Sequence, residues 1–440
     1  MTHRRDTICA LASGAPPSAI STIRVSGPAV SDIIAVRLSR APLKPRHATL
    51  VDLFSETGEK VDEGLAVFMP GPASYTGEDT GELSLHGGRI ITELALKSIM
   101  SAGARLAEPG EFTRRAFEAG KLDLTRSEAV ADLIDAETEA QHAQALKQMD
   151  GALESLYSDW RESLTECLAL LEASIDFPDE EDAPERVDGP VRTKLDTLQS
   201  GLNTALEEGN ITERIRDGFK IAILGKPNAG KSTLLNQLAK RDAAIVTDIP
   251  GTTRDVVEVR LTLGGFLVWI SDTAGLRETD DIVEAEGVRR ALKTGDAADI
   301  RIWLYDGRDD FQSDQVGPND LVVANKADLI QPGNVSRETL QISAKGGAGI
   351  KAVETALKSK LGALTQNVGA PIITRARHRQ GIERALSHLE NAKAHVESGI
   401  GAEFTAEEVR LASRELGTLT GHVDPESVLG AVFSSFCIGK

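Results

Sequence analysis

The octapeptide Gly225-Lys226-Pro227-Asn228-Ala229-Gly230-Lys231-Ser232 constrains this chain more than any other feature. It follows the apolar run 221–224 and opens a helical stretch that runs from Thr233 to Ala239, so a buried strand must turn sharply into a helix there. Gly225 and Gly230 let backbone N–H groups wrap phosphate oxygens. Lys231 reaches the outer phosphates, and the Ser232 hydroxyl suits a magnesium ion. From Phe219 to about Leu361, strand-like runs at 221–224, 267–270, 300–305, 321–324 and 341–342 alternate with helical stretches. That alternation predicts a doubly wound sheet.

Three further motifs follow at the ends of predicted strands. Asp272-Thr273-Ala274-Gly275 places a carboxylate near the magnesium and the Gly275 N–H toward the terminal phosphate. In Asn325-Lys326-Ala327-Asp328, the Asp328 carboxylate can accept both N–H groups on the Watson–Crick edge of guanine, a donor pair that adenine lacks. Ser343-Ala344-Lys345 would close over the base. Together these predict a GTP site. Ras-like enzymes carry a Gln directly after Asp-Thr-Ala-Gly to orient the attacking water, whereas this chain has Leu276. The segment Thr247-Asp248-Ile249-Pro250-Gly251-Thr252-Thr253-Arg254-Asp255 is rich in hydroxyls and carbonyls. Thr253 suits magnesium, and the other oxygens, with the Asn228 side chain, could hold a monovalent cation where an arginine finger would put its charge. Asn228 reads equally well as a turn residue. One acid of the stretch containing Glu278, Asp280, Asp281, Glu284 and Glu286 could orient the water.

The remainder of the 440 residues is too long for one core and points to an α/β chain of several domains. Short β-like runs and Gly/Pro turns predict an α/β domain over residues 1–118, with a first strand at Ile8 to Ala12. Met149, Leu153, Leu156, Trp160, Leu164, Cys167, Leu171 and Ile175 step by three or four, the face of one long helix ending at Phe177-Pro178. Helical patterning resumes after the sheet, with Thr405-x-x-Glu408 as a capping box and Asp424-Pro425 opening a last helix. Two helical domains, or one interrupted by residues 217–366, both fit; the segments would be 119–216 and 367–440. A net charge of −18 and 4% aromatic residues argue against a broad nucleic-acid surface. No run of 18 apolar residues is present, and three widely spaced cysteines fit free thiols in a reducing cytoplasm. Cys167 lies on a helix stripe and reads as core. Cys437, near the end of the chain, is a thiol that no GTP chemistry requires.

The chain resembles the tRNA-modification GTPase family MnmE, also called TrmE. The resemblance rests on Arg24-Val25-Ser26-Gly27, Gly71-Pro72-Ala73-Ser74-Tyr75-Thr76-Gly77-Glu78-Asp79, Leu85-His86-Gly87-Gly88, Pro109-Gly110-Glu111-Phe112, Lys121-Leu122-Asp123-Leu124, Gly251-Thr252-Thr253-Arg254-Asp255 and Phe436-Cys437-Ile438-Gly439-Lys440. One departure is Ser13 to Ser18, sparser in glycine than the family's stretch there. The resemblance implies an N-terminal folate-binding and dimerising α/β domain, a discontinuous helical domain and an inserted Ras-like G domain. It implies a homodimer that works with the flavin- and NADH-using partner MnmG, as a heterotetramer that contacts tRNA mainly through that partner. The product would be an aminomethyl or carboxymethylaminomethyl group on C5 of the wobble uridine, its carbon drawn from 5-formyl- or 5,10-methylene-tetrahydrofolate. Carried over, the potassium ligands are Asn228, Thr247, Ile249 and Thr252, and the magnesium ligands Ser232 and Thr253. Glu284 orients the water. The folate contacts are Arg24, Glu82, Lys121 and Lys440, of which the cations Arg24 and Lys121 suit the carboxylates of a glutamyl tail. For Cys437 the resemblance implies a nucleophile, while its neighbours Phe433 and Phe436 taken alone suggest a packed thiol. The competing reading is a ribosome-assembly or translation GTPase acting as a binding switch.

Overall fold

The computed structural model describes residues 6–176, 188–241, 257–272, 295–311, 316–329, 339–366, 373–423, 426–434 and 436–439. It divides into two compact units, Met1–Ala131 with Glu154–Glu185 and His395–Lys440, and Asp132–Leu153 with Arg186–Ala394. Among the described residues no helix is long and apolar enough to cross a membrane.

The first unit is built on β1 (Thr7–Leu11), β2 (Ile20–Ser26), α1 (Val30–Arg37), β3 (Thr49–Phe54), β4 (Lys60–Met69), β5 (Thr80–His86), α2 (Arg89–Ser101), β6 (Ala104–Leu106) and α3 (Glu111–Glu118). The strands lie in the order β3-β4-β5-β2-β1-β6, antiparallel except for the β1–β6 pair. Alternation drives the layering. Ile23 and Val25 of β2, Leu83 and Leu85 of β5 and Cys9 of β1 point to one face and pack with Ile33, Ala95 and Ile99 of α1 and α2. The opposite face holds a smaller core of Ile8, Ala10, Ala107 and Phe112, with Tyr75 against it.

Helical segments complete this unit. Leu124 and Ala131 of α4 (Leu124–Asp135) pack with Leu429, Val432, Phe433 and Phe436, carried by and just after helix Glu426–Ser434. Those phenylalanines anchor the chain end, and the backbone then runs beside the N-terminal domain. Pro109 and Ile438 form an isolated bridge, and the Gly110 N–H donates to the Cys437 carbonyl at 3.4 Å. Gly439 takes φ +100°, and a Cβ there would lie 2.1 Å from the Leu11 carbonyl oxygen, so only glycine fits.

Two helix boundaries differ from expectation. The stripe begun at Met149 belongs to two helices, α5 (Glu139–Met149) and α6 (Ala152–Asp176). Gly151, at φ +91°, breaks them apart. The buried line of α6 is Leu153, Tyr157, Leu164, Cys167 and Leu171, with Tyr157 taking the inward place expected of Leu156. Thr405 does not cap its helix. Helix Ala402–Thr420 starts one turn earlier, with Gly401 at the N-cap, and Thr405 is buried on the same face as Val409, Ala412 and Leu416. Asp424 and Pro425 lie outside the described residues.

The second unit contains α7 (Asp188–Asp217), β7 (Phe219–Leu224), α8 (Lys231–Arg241), β8 (Val257–Leu263), β9 (Phe266–Asp272), β10 (Ile300–Asp306), β11 (Leu321–Asn325), β12 (Leu340–Gln341) and helices Ile350–Thr365 and Ala376–Ser398. Its sheet runs β12-β11-β10-β7-β9-β8 and is parallel except for the β8–β9 hairpin, which turns on Gly264-Gly265 with both φ positive. Ile221, Ile223, Val268, Ile270, Ile302, Leu304 and Val323 share one buried face, and Ala222, Leu224, Leu267 and Ala324 are buried on the other, as parallel strands covered by helices require. Helices from before and after this sheet touch each other: Arg379 pairs with Glu213 of α7 at 2.9 Å, and Thr212 donates to the Ile373 carbonyl.

Candidate functional sites

The phosphate loop leaves β7 at Leu224 in backbone conformations that only its residues permit. Gly225 stands at φ +151°, where a Cβ would lie 2.0 Å from the Leu304 carbonyl oxygen. Gly230 stands at φ +98°, where a Cβ would lie 2.2 Å from Asn325 Nδ2. Asn228 adopts φ +62°, a left-handed conformation that Asn tolerates better than most residues. Its side-chain amide makes no hydrogen bond among the described residues. Ala229 is buried at the base of the loop, while Ser232 and Thr233 are exposed at the start of α8. Lys231 is only 6% exposed and its ammonium donates to the carbonyls of Gly225 (2.7 Å) and Lys226 (3.1 Å). The cation thus sits inside a ring of backbone, where phosphate oxygens would find it already desolvated.

Asn325 joins the three loops of this site. Its Nδ2 donates to the Ala229 carbonyl at 2.6 Å, and its Oδ1 accepts from the backbone N–H groups of Lys326 (2.8 Å) and Ala344 (2.9 Å). The carbonyl of Ala344 in turn accepts from Gln237 Nε2 of α8 at 3.0 Å. Phosphate loop, base-reading loop and the Ser343-Ala344-Lys345 turn are therefore held as one piece. Asp328 is exposed, and its carboxyl lies below the usual carboxylate value because Ser343 hydrogen-bonds to it, its own backbone N–H adds to this, and Lys345 lies near. An ionised acceptor at the open side of the pocket is what two guanine N–H donors require.

Asp272 ends β9 opposite Ile223 of the neighbouring β7. Its side chain, and the residues Thr247, Asp248, Ile249, Pro250, Gly251, Thr252, Thr253, Thr273, Ala274, Gly275 and Glu284, lie outside the described residues. Two residues the sequence reading passed over belong to the site: Gln237, and Asp306 at the end of β10, whose Oδ2 lies 2.8 Å from Lys326 Nζ. Hydrogen bonds from Arg308, ahead of those from Lys326, hold the Asp306 carboxyl well below the usual carboxylate range. The signal for Asp306 was its place at the carboxyl end of a strand, the position that Asp272 occupies in β9.

In the first unit, Arg24 and Glu82 face each other as cross-strand partners of β2 and β5, with Nε and Oε1 2.8 Å apart. The guanidinium lies over two rings, 5.6 Å from the centre of Tyr75 and 5.7 Å from that of Phe112. Its terminal nitrogens make no hydrogen bond among the described residues. Lys121 is committed differently, since its ammonium donates to the carbonyls of Pro72 (2.7 Å) and Ser74. It fastens the Gly71–Glu78 loop that carries Tyr75.

The three thiols separate by environment. Cys9 and Cys167 are buried, and burial pushes the Cys9 thiol up to about 11, too high for a nucleophile at neutral pH. Cys437 is exposed, contrary to the packed position that its phenylalanine neighbours suggested, because Phe433 and Phe436 turn inward and leave the next residue at the surface. Lys440 lies outside the described residues.

Residues 7–121 match a family model described as the GTP-binding protein TrmE N-terminus, and residues 124–437 match the MnmE helical domain model. A Hyphomonas neptunium protein named tRNA modification GTPase MnmE is 54% identical over 439 residues, which cover 99% of each chain. Proteins of the same name from Caulobacter vibrioides and Parvibaculum lavamentivorans are 49% and 48% identical, over 99% of this chain and 100% of theirs.

Proposed function

The chain belongs to the MnmE family of tRNA modification GTPases, and on that premise we propose that its hydrolysis depends on potassium and serves a folate-fed modification of the wobble uridine. It is a GTP hydrolase involved in tRNA modification, with GTP and Mg2+ as its ligands. The observation that carries the reading is the Asn325 bridge, which sets a phosphate loop and a guanine-reading carboxylate in one rigid frame.

In this proposal Lys231 and the loop N–H groups bind the phosphates and Asp328 selects the base. Ser232 and Thr253 would hold Mg2+, while Asn228, Thr247, Ile249 and Thr252 would hold K+. The two cations supply positive charge beside the phosphates. The fit of Asn228 is supported by its left-handed backbone and its uncommitted side-chain oxygen. Leu276 cannot orient water, so that task falls to Glu284.

The one-carbon chemistry belongs to the first unit. Arg24, stacked on two rings with free terminal nitrogens, would bind a carboxylate of a reduced folate, with Glu82 fixing its angle. Lys121, being spent on the Gly71–Glu78 loop, would shape that pocket more than bind the tail. Cys437, exposed and attached through its backbone to Gly110, is the candidate nucleophile toward the pyrimidine ring. A homodimer formed by the N-terminal domains, the flavoprotein MnmG, and tRNA held mainly by that partner complete the proposal. So does a three-part layout, with residues 1–118 and 217–366 as domains and 119–216 and 367–440 as two parts of one helical domain. GTP turnover at equal ionic strength tests it. Potassium should accelerate hydrolysis over sodium, and Asn228→Ala should lose that response while keeping most of its nucleotide affinity. Equal wild-type rates in the two salts would refute potassium dependence.

A further inference from the structure

The base-reading loop carries an ion pair, Lys326 with Asp306, that the guanine contacts do not require. The Asp306 carboxylate, 13% exposed, is held from two sides at the end of β10. Its Oδ2 accepts from Lys326 Nζ (2.8 Å) and Arg308 Nη2 (2.6 Å), and its Oδ1 accepts from Arg308 Nε (2.9 Å) and the Arg308 backbone N–H (3.2 Å). The frame behind it is fixed as well. Asp306 is the register partner of Asn325 across β10 and β11, and the next N–H, that of Gly307, donates to the Asn325 carbonyl at 2.9 Å.

Lys326 is placed with equal care. It stands at φ +63°, a conformation that costs a non-glycine residue free energy and persists only where its surroundings enforce it. Ala327 N–H donates to the Ile342 carbonyl, and Leu329 N–H to the Lys326 carbonyl, which fixes the backbone on its C-terminal side. The side chain then runs from Asn325, which grips the phosphate loop, toward Asp306. Without a partner, a lysine side chain samples many rotamers. Bound to Asp306, it is held to one course from the base-reading loop to the end of β10.

We propose that Asp306 is a positioning residue for nucleotide recognition: it holds the Lys326 ammonium so that the lysine stem forms one wall of the guanine pocket. The inference rests on the reading of this loop as a guanine site and adds a determinant on a different strand. Arg308 sets the angle of the carboxylate. The role is one of binding, so it acts on KM and leaves the hydrolytic step alone.

The test is GDP affinity and GTP turnover of the full chain, measured for wild type, Asp306→Asn, Lys326→Met and the double variant, with thermal unfolding of each as a control. Asp306→Asn keeps the shape and removes the charge; Lys326→Met keeps the stem and removes the ammonium. Asp306→Asn should weaken GDP binding about tenfold, the size of one lost charge-assisted hydrogen bond, and raise KM with kcat unchanged. In the Lys326→Met background the same substitution should add less than about twofold, since the partner through which it acts is gone. Full additivity of the two substitutions, or an unchanged GDP affinity in Asp306→Asn, would overturn the inference. A fall in unfolding temperature without a change in affinity would assign Asp306 to stability alone, which also overturns it. Wild-type protein that binds no GDP would instead refute the guanine site itself.

Discussion

Replacing Glu111 by glutamine removes a carboxylate that ties the start of α3 to two arginines and to the loop before it. Arg105 donates to both oxygens, at 2.9 and 2.7 Å, Arg115 Nη2 donates at 2.8 Å, and the Glu108 N–H donates at 2.8 Å. Burial alone would raise the carboxyl. The bonds from Arg105, Glu108 and Arg115 outweigh it and lower the group from 4.5 to about 2. A drop of roughly 2.5 pH units corresponds to about 3 kcal/mol; with Arg105 partly exposed, about 2 kcal/mol is the safer expectation. The sign follows from the depressed value. This stability is fully present above about pH 4.5 and is lost as pH falls through about 2.

The stretch from Pro109 to Gly110 also holds Ile438 and Cys437, so the loss should spread to the chain end. Hydrogen–deuterium exchange at pH 7 reads it directly. Amides of α3 in Glu111→Gln should lose protection by about thirtyfold relative to wild type, the equivalent of ~2 kcal/mol of local stability. The gap between the two proteins should close as wild type is acidified toward pH 2. Equal protection at pH 7, or a gap that acid does not narrow, would refute the reasoning.

Two further expectations concern the chemistry. Glu284→Ala should bind GTP with near wild-type affinity and hydrolyse it more slowly, by about tenfold to a thousandfold, as loss of a single water-positioning group implies; a collapse in nucleotide affinity would remove Glu284 from that role. Cys437→Ser should leave GTP turnover intact while wobble-uridine modification fails in cells, because phosphoryl transfer needs no thiol and serine is a far poorer nucleophile at neutral pH; intact modification would show that the thiol does not react.

What the sequence made legible follows from locality. The strand–loop–helix corner at Gly225 to Ser232 was readable because its constraints lie within eight residues, and the parallel strands were readable from their apolar runs. β8 was passed over although Val257, Val259, Leu261 and Leu263 alternate and Gly264-Gly265 marks a tight turn. An antiparallel strand paired to its neighbour by two residues breaks the strand–helix rhythm on which the reading relied. The Arg24 cradle was legible only through family resemblance, since Tyr75 and Phe112 reach it from distant parts of the chain. The sequence left Cys437 open between a nucleophile and a packed thiol, because the inward turn of its phenylalanine neighbours depends on Leu124 and Phe117 far upstream. Lys121 entered only as an expected folate contact through the resemblance, and its bonds to the carbonyls of Pro72 and Ser74, nearly fifty residues upstream, are not written in any local pattern.

The central claim is that this GTPase serves modification of the tRNA wobble uridine, and nucleoside mass spectrometry of tRNA from cells lacking the chain tests it most directly. The account predicts that aminomethyl and carboxymethylaminomethyl groups on C5 of that uridine disappear. They should return with the wild-type chain and not with Cys437→Ser. Unaltered wobble uridines in cells without the chain would contradict it.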